Sequence, residues 1–199
     1  MLEKNKYYKD FYNSLKNKYG KEKADILWNR ADEVVSVLYK EHPEIEKKRA
    51  DSVLPLAAFY KVLIKEYPEE EVMDLLIAYG KKMGHKIGNF LHGLTSIPGM
   101  SKLVWKKMPS IMHKMGGEDS GYTSEFVSEN DKVCAMNVLK CPLDDILNEL
   151  GCRKACLAIC AMDKVYMNCL KNIKYTRTMS VANGDKYCDY VLNYDKNKK

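Results

Sequence analysis

The character of the sequence changes at the glycine pair Gly116–Gly117, and this change most constrains the fold. Before it, apolar residues recur at helical spacing, as in residues 27–38, and glycine or proline separates one such segment from the next. After it, two short runs, residues 122–128 and 133–139, contain many residues that favour strands and flank a polar turn. The sequence therefore predicts a helical first half followed by a segment that contains a β-sheet.

The second half predicts the element order β-β-α-α-β-β. Pro142 stands where a helix is expected to begin and Gly151 where it ends, and a second helix is expected over residues 152–170. Asn183–Gly184 favours a two-residue hairpin between two closing strands, because both central residues of a type I′ turn need positive φ. The expected fold class is therefore α+β, with a four-stranded, mostly antiparallel sheet packed with helices.

The same boundary predicts the domain organisation. We expect a helical subdomain over residues 1–116 and an α+β subdomain over residues 117–199, which carries the cysteine helix and the closing hairpin, together in one compact domain. In the helical part, the helix over residues 69–83 is expected to end at Gly84. Frequent glycine in residues 84–99 indicates either close backbone packing or a segment that moves.

Composition narrows the class of protein. The 199 residues are 46% hydrophobic and 30% charged, as in ordinary soluble domains. A membrane span needs about 18 uninterrupted apolar residues, and no stretch of the sequence approaches that length. Because no apolar signal core is present near the N-terminus, we expect a cytoplasmic protein with no membrane partner. The net charge is +6, but lysines are interleaved with acidic residues, whereas nucleic-acid binders concentrate basic residues on one face. We therefore expect no nucleic-acid partner.

Seven cysteines, all after residue 130, are the strongest compositional clue to function. An odd number in a chain without an export signal predicts free thiols. Cys152, Cys156 and Cys160 are four residues apart on the expected helix and form a stripe about 12 Å long, too long for one metal ion to bind all three. One interpretation is that these side chains pack the helix as small apolar groups. The other is zinc bound by a helical pair with Cys141 or Cys188, for example by Cys152, Cys156 and Cys188; otherwise no metal or cofactor is expected.

A carboxylate lies beside these thiols in the sequence. Asp163 follows Cys160 by three residues and Cys156 by seven, which places all three on one side of a helix. Asp163 could act as a base or orient a nucleophile, with Arg177 neutralising its charge. The alternative is a structural ion pair between Asp163 and Arg177.

Residues 177–190, RTMSVANGDKYCDY, carry the other polar groups. The guanidinium of Arg177 suits a carboxylate, either of a substrate or of Asp185 or Asp189. Asp185 stands beside the expected turn and could instead cap it. Because side chains alternate along a strand, we expect Arg177 to meet whichever of Cys188 and Asp189 faces the same way, against the cysteine helix.

The motifs CPL, GC...C...C..D and RT.....GD..CDY, which span Cys141 to Tyr190, resemble the family of L-2-amino-thiazoline-4-carboxylic acid hydrolase. The resemblance covers about a quarter of the chain, and the helical first half fits the family's general layout. It implies a hydrolase that opens a small cyclic isothiourea or amidine-type carboxylate to a carbamoyl-cysteine. The reaction would take place at the ring carbon between sulfur and nitrogen.

Carried over to this chain, the resemblance gives the polar residues roles toward a small-molecule carboxylate substrate. The substrate-binding residues would be Arg177, Thr178 and Asp185. The candidate catalytic residues would be two carboxylates and two thiols. The carboxylate of Asp163 or Asp189 could activate water, and the thiol of Cys160 or Cys188 could act as the nucleophile.

The layout is also similar to the ligand-binding domain of the 4-vinyl reductase type, in which helices and an antiparallel sheet enclose an apolar ligand. This similarity supplies the alternative function, a non-catalytic sensor of a small molecule or a metal. A third interpretation, a structural or dimerisation protein, rests on the amphipathic N-terminal helices, through which the chain could form a homo-oligomer.

Overall fold

The computed structural model describes residues 1–198 of the chain. Its helices and strands, in chain order, are α1 Phe11–Tyr19, α2 Lys21–Glu41, α3 Lys47–Leu63, α4 Glu69–Ser96, α5 Met100–Gly116, β1 Thr123–Glu129, β2 Val133–Lys140, α6 Pro142–Glu149, α7 Cys156–Asn168, β3 Ile173–Thr176 and β4 Cys188–Tyr194. Helices fill the first half and all four of these strands lie in the second, so the predicted α+β class is confirmed. Within residues 1–198, no helix has the length and apolar character needed to span a membrane.

The described chain divides into two compact units. The first comprises Met1–Tyr79 and Ile146–Ala158, and the second comprises Gly80–Asp145 and the described residues from Ile159 onward. Three helices, α4, α6 and α7, contain residues of both units. The assignment of one helical and one α+β subdomain that meet at Gly116–Gly117 stays a prediction.

The first unit is built largely from α1, α2, α3 and the start of α4. Aromatic rings form its centre: the ring centroid of Phe11 lies 4.5 Å from that of Phe59 and 4.8 Å from that of Tyr79. Phe11 and Phe59 are fully buried. Pro55 lies inside α3, which begins at Lys47.

The second unit contains a four-stranded sheet in the order β1-β2-β4-β3, and every neighbouring pair of strands is antiparallel. Side chains alternate along each strand, and Cys134, Met136 and Val138 of β2 share the face that carries the core cluster. Methionines of α5 fill part of this core, and the sulfur atoms of Met112 and Cys134 lie 3.2 Å apart. The buried residues of the cluster are Trp105, Met108, Met112, Cys134, Met136, Val138, Leu170, Ile173, Tyr175, Val181, Cys188 and Leu192.

The connection between the closing strands differs from the predicted two-residue turn. β3 and β4 do form an antiparallel pair, but residues 177–187 connect them, with a short 3-10 helix at Val181–Asn183 and Gly184 at φ 90°. Hydrogen bonds within the connection stabilise this shape: the Ser180 carbonyl accepts from the backbone N–H groups of Asn183 and Asp185. Asn183 is therefore part of a 3-10 turn and does not adopt the positive φ that a type I′ hairpin requires.

Two helix boundaries also differ from the prediction. Helix α4 continues through Gly84 to Ser96, because close packing within the second unit compensates for the weak helix propensity of glycine. An added Cβ at Gly84 would lie 2.6 Å from the Met162 carbonyl oxygen. Of the two explanations for the glycine-rich segment, close backbone packing therefore holds at this position. The second boundary is that of α7, which begins at Cys156 after a 3-10 turn, so Cys152 is not part of a continuous thiol stripe.

Candidate functional site

Polar side chains gather on one face of β3 and β4, where this face meets α7 residues of the second unit. Alternation places Arg177, just after β3, on the same face as the buried Tyr175. On β4, Tyr190 shares a face with the buried Cys188, and its ring centroid lies 5.5 Å from that of Tyr175. The structure thus places Arg177, Tyr175, Tyr190 and Cys188 on the face that carries the core.

Arg177 connects β4 to α7 through both terminal nitrogens of its guanidinium. Its Nη1 donates to the Tyr190 hydroxyl at 2.9 Å, and its Nη2 donates to the Cys160 carbonyl oxygen at 2.8 Å. The guanidinium carbon also lies 5.3 Å from the centroid of the Tyr190 ring, within cation–π range. These contacts fix the orientation of Arg177 on this face of the sheet.

Asp163 is linked to Arg177 through a tyrosine hydroxyl. The Tyr190 hydroxyl, which accepts from Arg177, donates to Oδ2 of Asp163 at 3.4 Å. Burial raises the pKa of Asp163 to about 6, although the positive charge of Arg177 and hydrogen bonds from Tyr166 and Tyr190 oppose this effect. Asp163 itself is half-buried. Its carboxyl group can therefore take up and release a proton near neutral pH.

Two predicted thiols lie near the hydroxyl of Ser180. The Ser180 hydroxyl oxygen is 3.5 Å from the Cys160 sulfur and 3.8 Å from the Cys188 sulfur. Cys188 is buried, and its sulfur accepts from the Val181 N–H at 3.3 Å. Burial raises the pKa of Cys188 more than this hydrogen bond lowers it, so the thiol form predominates at neutral pH.

Asp189, Thr178 and Asp185 stabilise the connection between β3 and β4. Asp189 accepts from the backbone N–H and the hydroxyl of Thr178 at 2.8 and 2.6 Å, and from the Met179 N–H at 2.6 Å. Burial opposes ionisation, but these hydrogen bonds hold the pKa of Asp189 below its ordinary value. Asp185 accepts from the Ser180 N–H at 2.7 Å, which agrees with the capping alternative. Each of these three residues therefore bonds to the connection itself.

The alternative zinc site draws on residues of different units. Cys152 and Cys156 belong to the first unit, whereas Cys188 belongs to the second. Across residues 1–198, no group of three His, Cys, Asp or Glu side chains is placed to hold a metal ion. His92, one of two histidines in the glycine-rich part of α4, instead has its Nδ1 3.1 Å from the Cys169 carbonyl oxygen.

Three tyrosines complete the cluster, and the sequence reasoning missed them. Tyr190 bridges Asp163 and Arg177, Tyr166 interacts with Asp163, and Tyr175 lies beside the ring of Tyr190. The period of two along β4 contained the signal for Tyr190, because a strand that directs Cys188 inward also directs Tyr190 inward. Tyr166 follows Asp163 by three residues on α7, a spacing that brings side chains together on a helix.

A family model described as L-2-amino-thiazoline-4-carboxylic acid hydrolase matches residues 45–192, about three quarters of the chain. This range includes Asp163, Arg177 and Tyr190. No curated protein matches the chain in sequence.

Solved structures of H-NOX proteins show a distant likeness to the chain. The Fe(II) unliganded H-NOX protein from K. algicida is 12% identical, with 96% of each chain covered and a TM-score of 0.40. A mutant H-NOX protein from S. oneidensis in the Fe(II) ligation state is 10% identical, with 97% of this chain and 96% of that chain covered and a TM-score of 0.39. These TM-scores are too low to establish a shared fold.

Proposed function

Because the chain belongs to the L-2-amino-thiazoline-4-carboxylic acid hydrolase family, we propose that it hydrolyses a small cyclic isothiourea carboxylate such as 2-amino-thiazoline-4-carboxylate. The observation that carries the proposal is the hydrogen-bonded series Asp163–Tyr190–Arg177. It combines a carboxyl group with a pKa of about 6 and a cation on one face of the sheet. A general base works best when its pKa lies near the operating pH, and Asp163 meets that requirement.

In the proposed reaction, water attacks the ring carbon between sulfur and nitrogen, and Asp163 acts first as base and then as acid. The carboxylate removes a proton from the attacking water while the oxygen bonds to the carbon. The carbon–sulfur bond then breaks, and the protonated Asp163 returns its proton to the sulfur. One hydrogen of the water ends on sulfur and the other on the ring nitrogen. The product is a carbamoyl-cysteine with a free thiol.

Arg177 is proposed to attract the carboxylate of the substrate and to hold Tyr190 in position for Asp163. Its two terminal nitrogens already donate to Tyr190 and Cys160, so its contribution to substrate binding is mainly its charge. Direct attack by water is favoured over covalent catalysis by Cys188, because that thiol is buried and its pKa is raised.

The test is hydrolysis of 2-amino-thiazoline-4-carboxylate, followed by release of a free thiol and by a mass gain of one water. We expect Asp163→Asn to lower kcat by about 100- to 10,000-fold, the usual contribution of a general base. Wild-type kcat should rise about tenfold per pH unit below about 6 and level off above it, because only the ionised carboxylate accepts a proton. The matched control is Asp74→Asn, at an exposed position of α4, which should retain wild-type activity.

Three outcomes would contradict parts of the proposal. Full activity in Asp163→Asn would exclude the base. Loss of activity in a folded Cys160→Ser or Cys188→Ser variant would instead favour covalent catalysis. Thermal stabilisation by the thiazoline carboxylate with no product would indicate the alternative, a non-catalytic ligand-binding domain.

A further inference from the structure

The hydroxyl of Tyr175 is buried beside the Asp163–Tyr190–Arg177 series without a hydrogen-bond partner. Tyr175 is 3% exposed, and its hydroxyl makes no hydrogen bond to any of residues 1–198. A buried hydroxyl with no partner is destabilising, so such groups are rare in folded proteins unless they serve a purpose. The tyrosines of the first unit illustrate the ordinary case, since the buried Tyr8 donates to the Ser52 carbonyl oxygen at 3.0 Å.

Charged and polar groups of the candidate site interact with Tyr175. Tyr175 interacts electrostatically with Arg177, Asp163 and Cys160, and its ring lies against that of Tyr190. Burial raises the pKa of Tyr175, so the hydroxyl stays protonated at neutral pH and can donate a hydrogen bond. This face of the sheet thus carries two groups near one another: the neutral Tyr175 hydroxyl, a donor without an acceptor, and the guanidinium cation of Arg177.

We propose that the Tyr175 hydroxyl is a substrate-binding donor that, together with the Arg177 guanidinium, receives the carboxylate of the substrate. A carboxylate oxygen satisfies the Tyr175 donor and also benefits from the positive charge of Arg177. This inference rests on the proposed function, because it assigns the carboxylate end of that same substrate. It adds to the site a residue that lies outside the set predicted from the sequence.

A carboxylate fits these groups better than a neutral ligand does. Nη1 of Arg177 donates to a neutral tyrosine and Nη2 to a backbone carbonyl, so neither bond neutralises its charge. The carboxyl group of Asp163 is linked to Arg177 only through Tyr190, and its pKa of about 6 shows that the cation does not fully stabilise its ionised form. A bound carboxylate could contact the Arg177 cation directly, whereas Asp163 is linked to it through the Tyr190 hydroxyl, and it would supply an acceptor for Tyr175.

The alternative role for Tyr175 is structural, as a donor to the neighbouring Tyr190 hydroxyl. The two groups interact, but outside hydrogen-bonding geometry. Removal of the hydroxyl separates the two roles. Because the Tyr175 hydroxyl has no partner in the protein, Tyr175→Phe should melt at or above the wild-type Tm. The control Tyr8→Phe loses a hydrogen bond and should melt below it. A Tyr175→Phe variant that loses as much stability as Tyr8→Phe would overturn the proposal.

Binding provides the second readout, through thermal shift with two probes, 2-amino-thiazoline-4-carboxylate and plain acetate. We expect both probes to stabilise the wild type and the Tyr8→Phe control. In Tyr175→Phe the affinity should fall about 10- to 100-fold, the effect of a lost hydrogen bond to a charged group. If turnover is measured, KM should rise by a similar factor while kcat changes less, because a carboxylate contact is made equally in the ground and transition states.

The outcomes separate this proposal from the proposed function. If acetate stabilises the wild type but not Tyr175→Phe, and the thiazoline carboxylate yields no product, the carboxylate site stands and the hydrolase proposal fails. If the wild type hydrolyses the substrate and Tyr175→Phe keeps its KM, the hydrolase proposal stands and the role of Tyr175 is overturned. If neither probe stabilises the wild type, the carboxylate site is overturned.

Discussion

At the scale of single residues, Asp163 shows a conflict between stability and its proposed function. Its ordinary pKa is 3.8, and burial in the folded protein raises it to about 6. The folded state therefore binds the proton of Asp163 more tightly than the unfolded state does. By linkage, the contribution of this group to stability is largest below about pH 4 and decreases as the pH rises to about 6. At neutral pH, the ionised carboxylate destabilises the fold.

This conflict predicts that Asp163→Asn stabilises the protein while it slows the proposed hydrolysis. An amide resembles the protonated carboxyl group, so the variant should match the wild type near pH 4. At pH 7 its free energy of unfolding should be higher by about 2 kcal/mol than that of the wild type. This value follows from the raised pKa of Asp163, reduced because the side chain is partly exposed to solvent. Urea denaturation at both pH values checks this, and equal stability of the two proteins at pH 7 would show that Asp163 is not destabilised by burial.

At the scale of elements, the glycines of α4 have different roles within one helix. Gly84 is buried, and an added Cβ would lie 2.6 Å from the Met162 carbonyl oxygen and 2.8 Å from Cβ of Val165. Both of these residues belong to α7, which carries Asp163. Gly93, on the same helix, is exposed, and an added Cβ there would meet nothing within 4 Å. Close approach to α7 therefore explains Gly84 but not Gly93.

We expect opposite effects of alanine at these two positions. Gly84→Ala should lower the free energy of unfolding by about 1–3 kcal/mol, because the backbone of α7 must shift to admit the new methyl group. Gly93→Ala should raise it by about 0.5–1 kcal/mol, because alanine favours the helix and meets no neighbour. Chemical denaturation of the two variants measures both effects. A neutral Gly84→Ala would mean that the two helices are farther apart than the structure indicates.

Also at this scale, the sequence predicts the elements of the sheet better than their connections. Hydrophobic patterns and turn residues gave the β-β-α-α-β-β order and the approach of Arg177 to α7. The prediction that α4 ends at Gly84 was wrong, because helix propensity is a local property. The tight packing that compensates for glycine at this position is not visible in the sequence. The prediction of a two-residue turn at Asn183–Gly184 was also wrong, because Asp185 and Ser180 form hydrogen bonds with each other within a longer connection.

The same limit explains why the site was predicted only in part. The alternation of side chains along a strand predicts that Cys188 and Asp189 face opposite ways. It does not predict which of them shares the face of Arg177. The register of β4 against β2, where Val138 pairs with Cys188, decides this and depends on long-range hydrogen bonds. Once Cys188 faces the core, Tyr190 follows, and a tyrosine hydroxyl links Asp163 to Arg177, whereas a direct ion pair was one of the alternatives that the sequence left open.

At the scale of the whole molecule, the buried thiols report on both compact units. Cys152 and Cys156 lie in the first unit, and Cys134 and Cys188 lie in the second. Burial raises the pKa of Cys134 and of Cys152 to about 11, which makes both thiols unreactive while the protein is folded. Their modification by iodoacetamide therefore requires that the surrounding unit opens.

We expect the four buried thiols to become reactive together as urea is increased. Helices α4 and α7 contain residues of both units, so unfolding one unit breaks helical turns that include residues of the other, and this favours a single cooperative transition. Short pulses of iodoacetamide at each urea concentration, followed by peptide mass spectrometry, give a midpoint for each cysteine. The half-buried Cys169 serves as the control and should react before the transition. Separate midpoints for Cys152 and Cys134 would show that the units unfold independently and would contradict the predicted single compact domain.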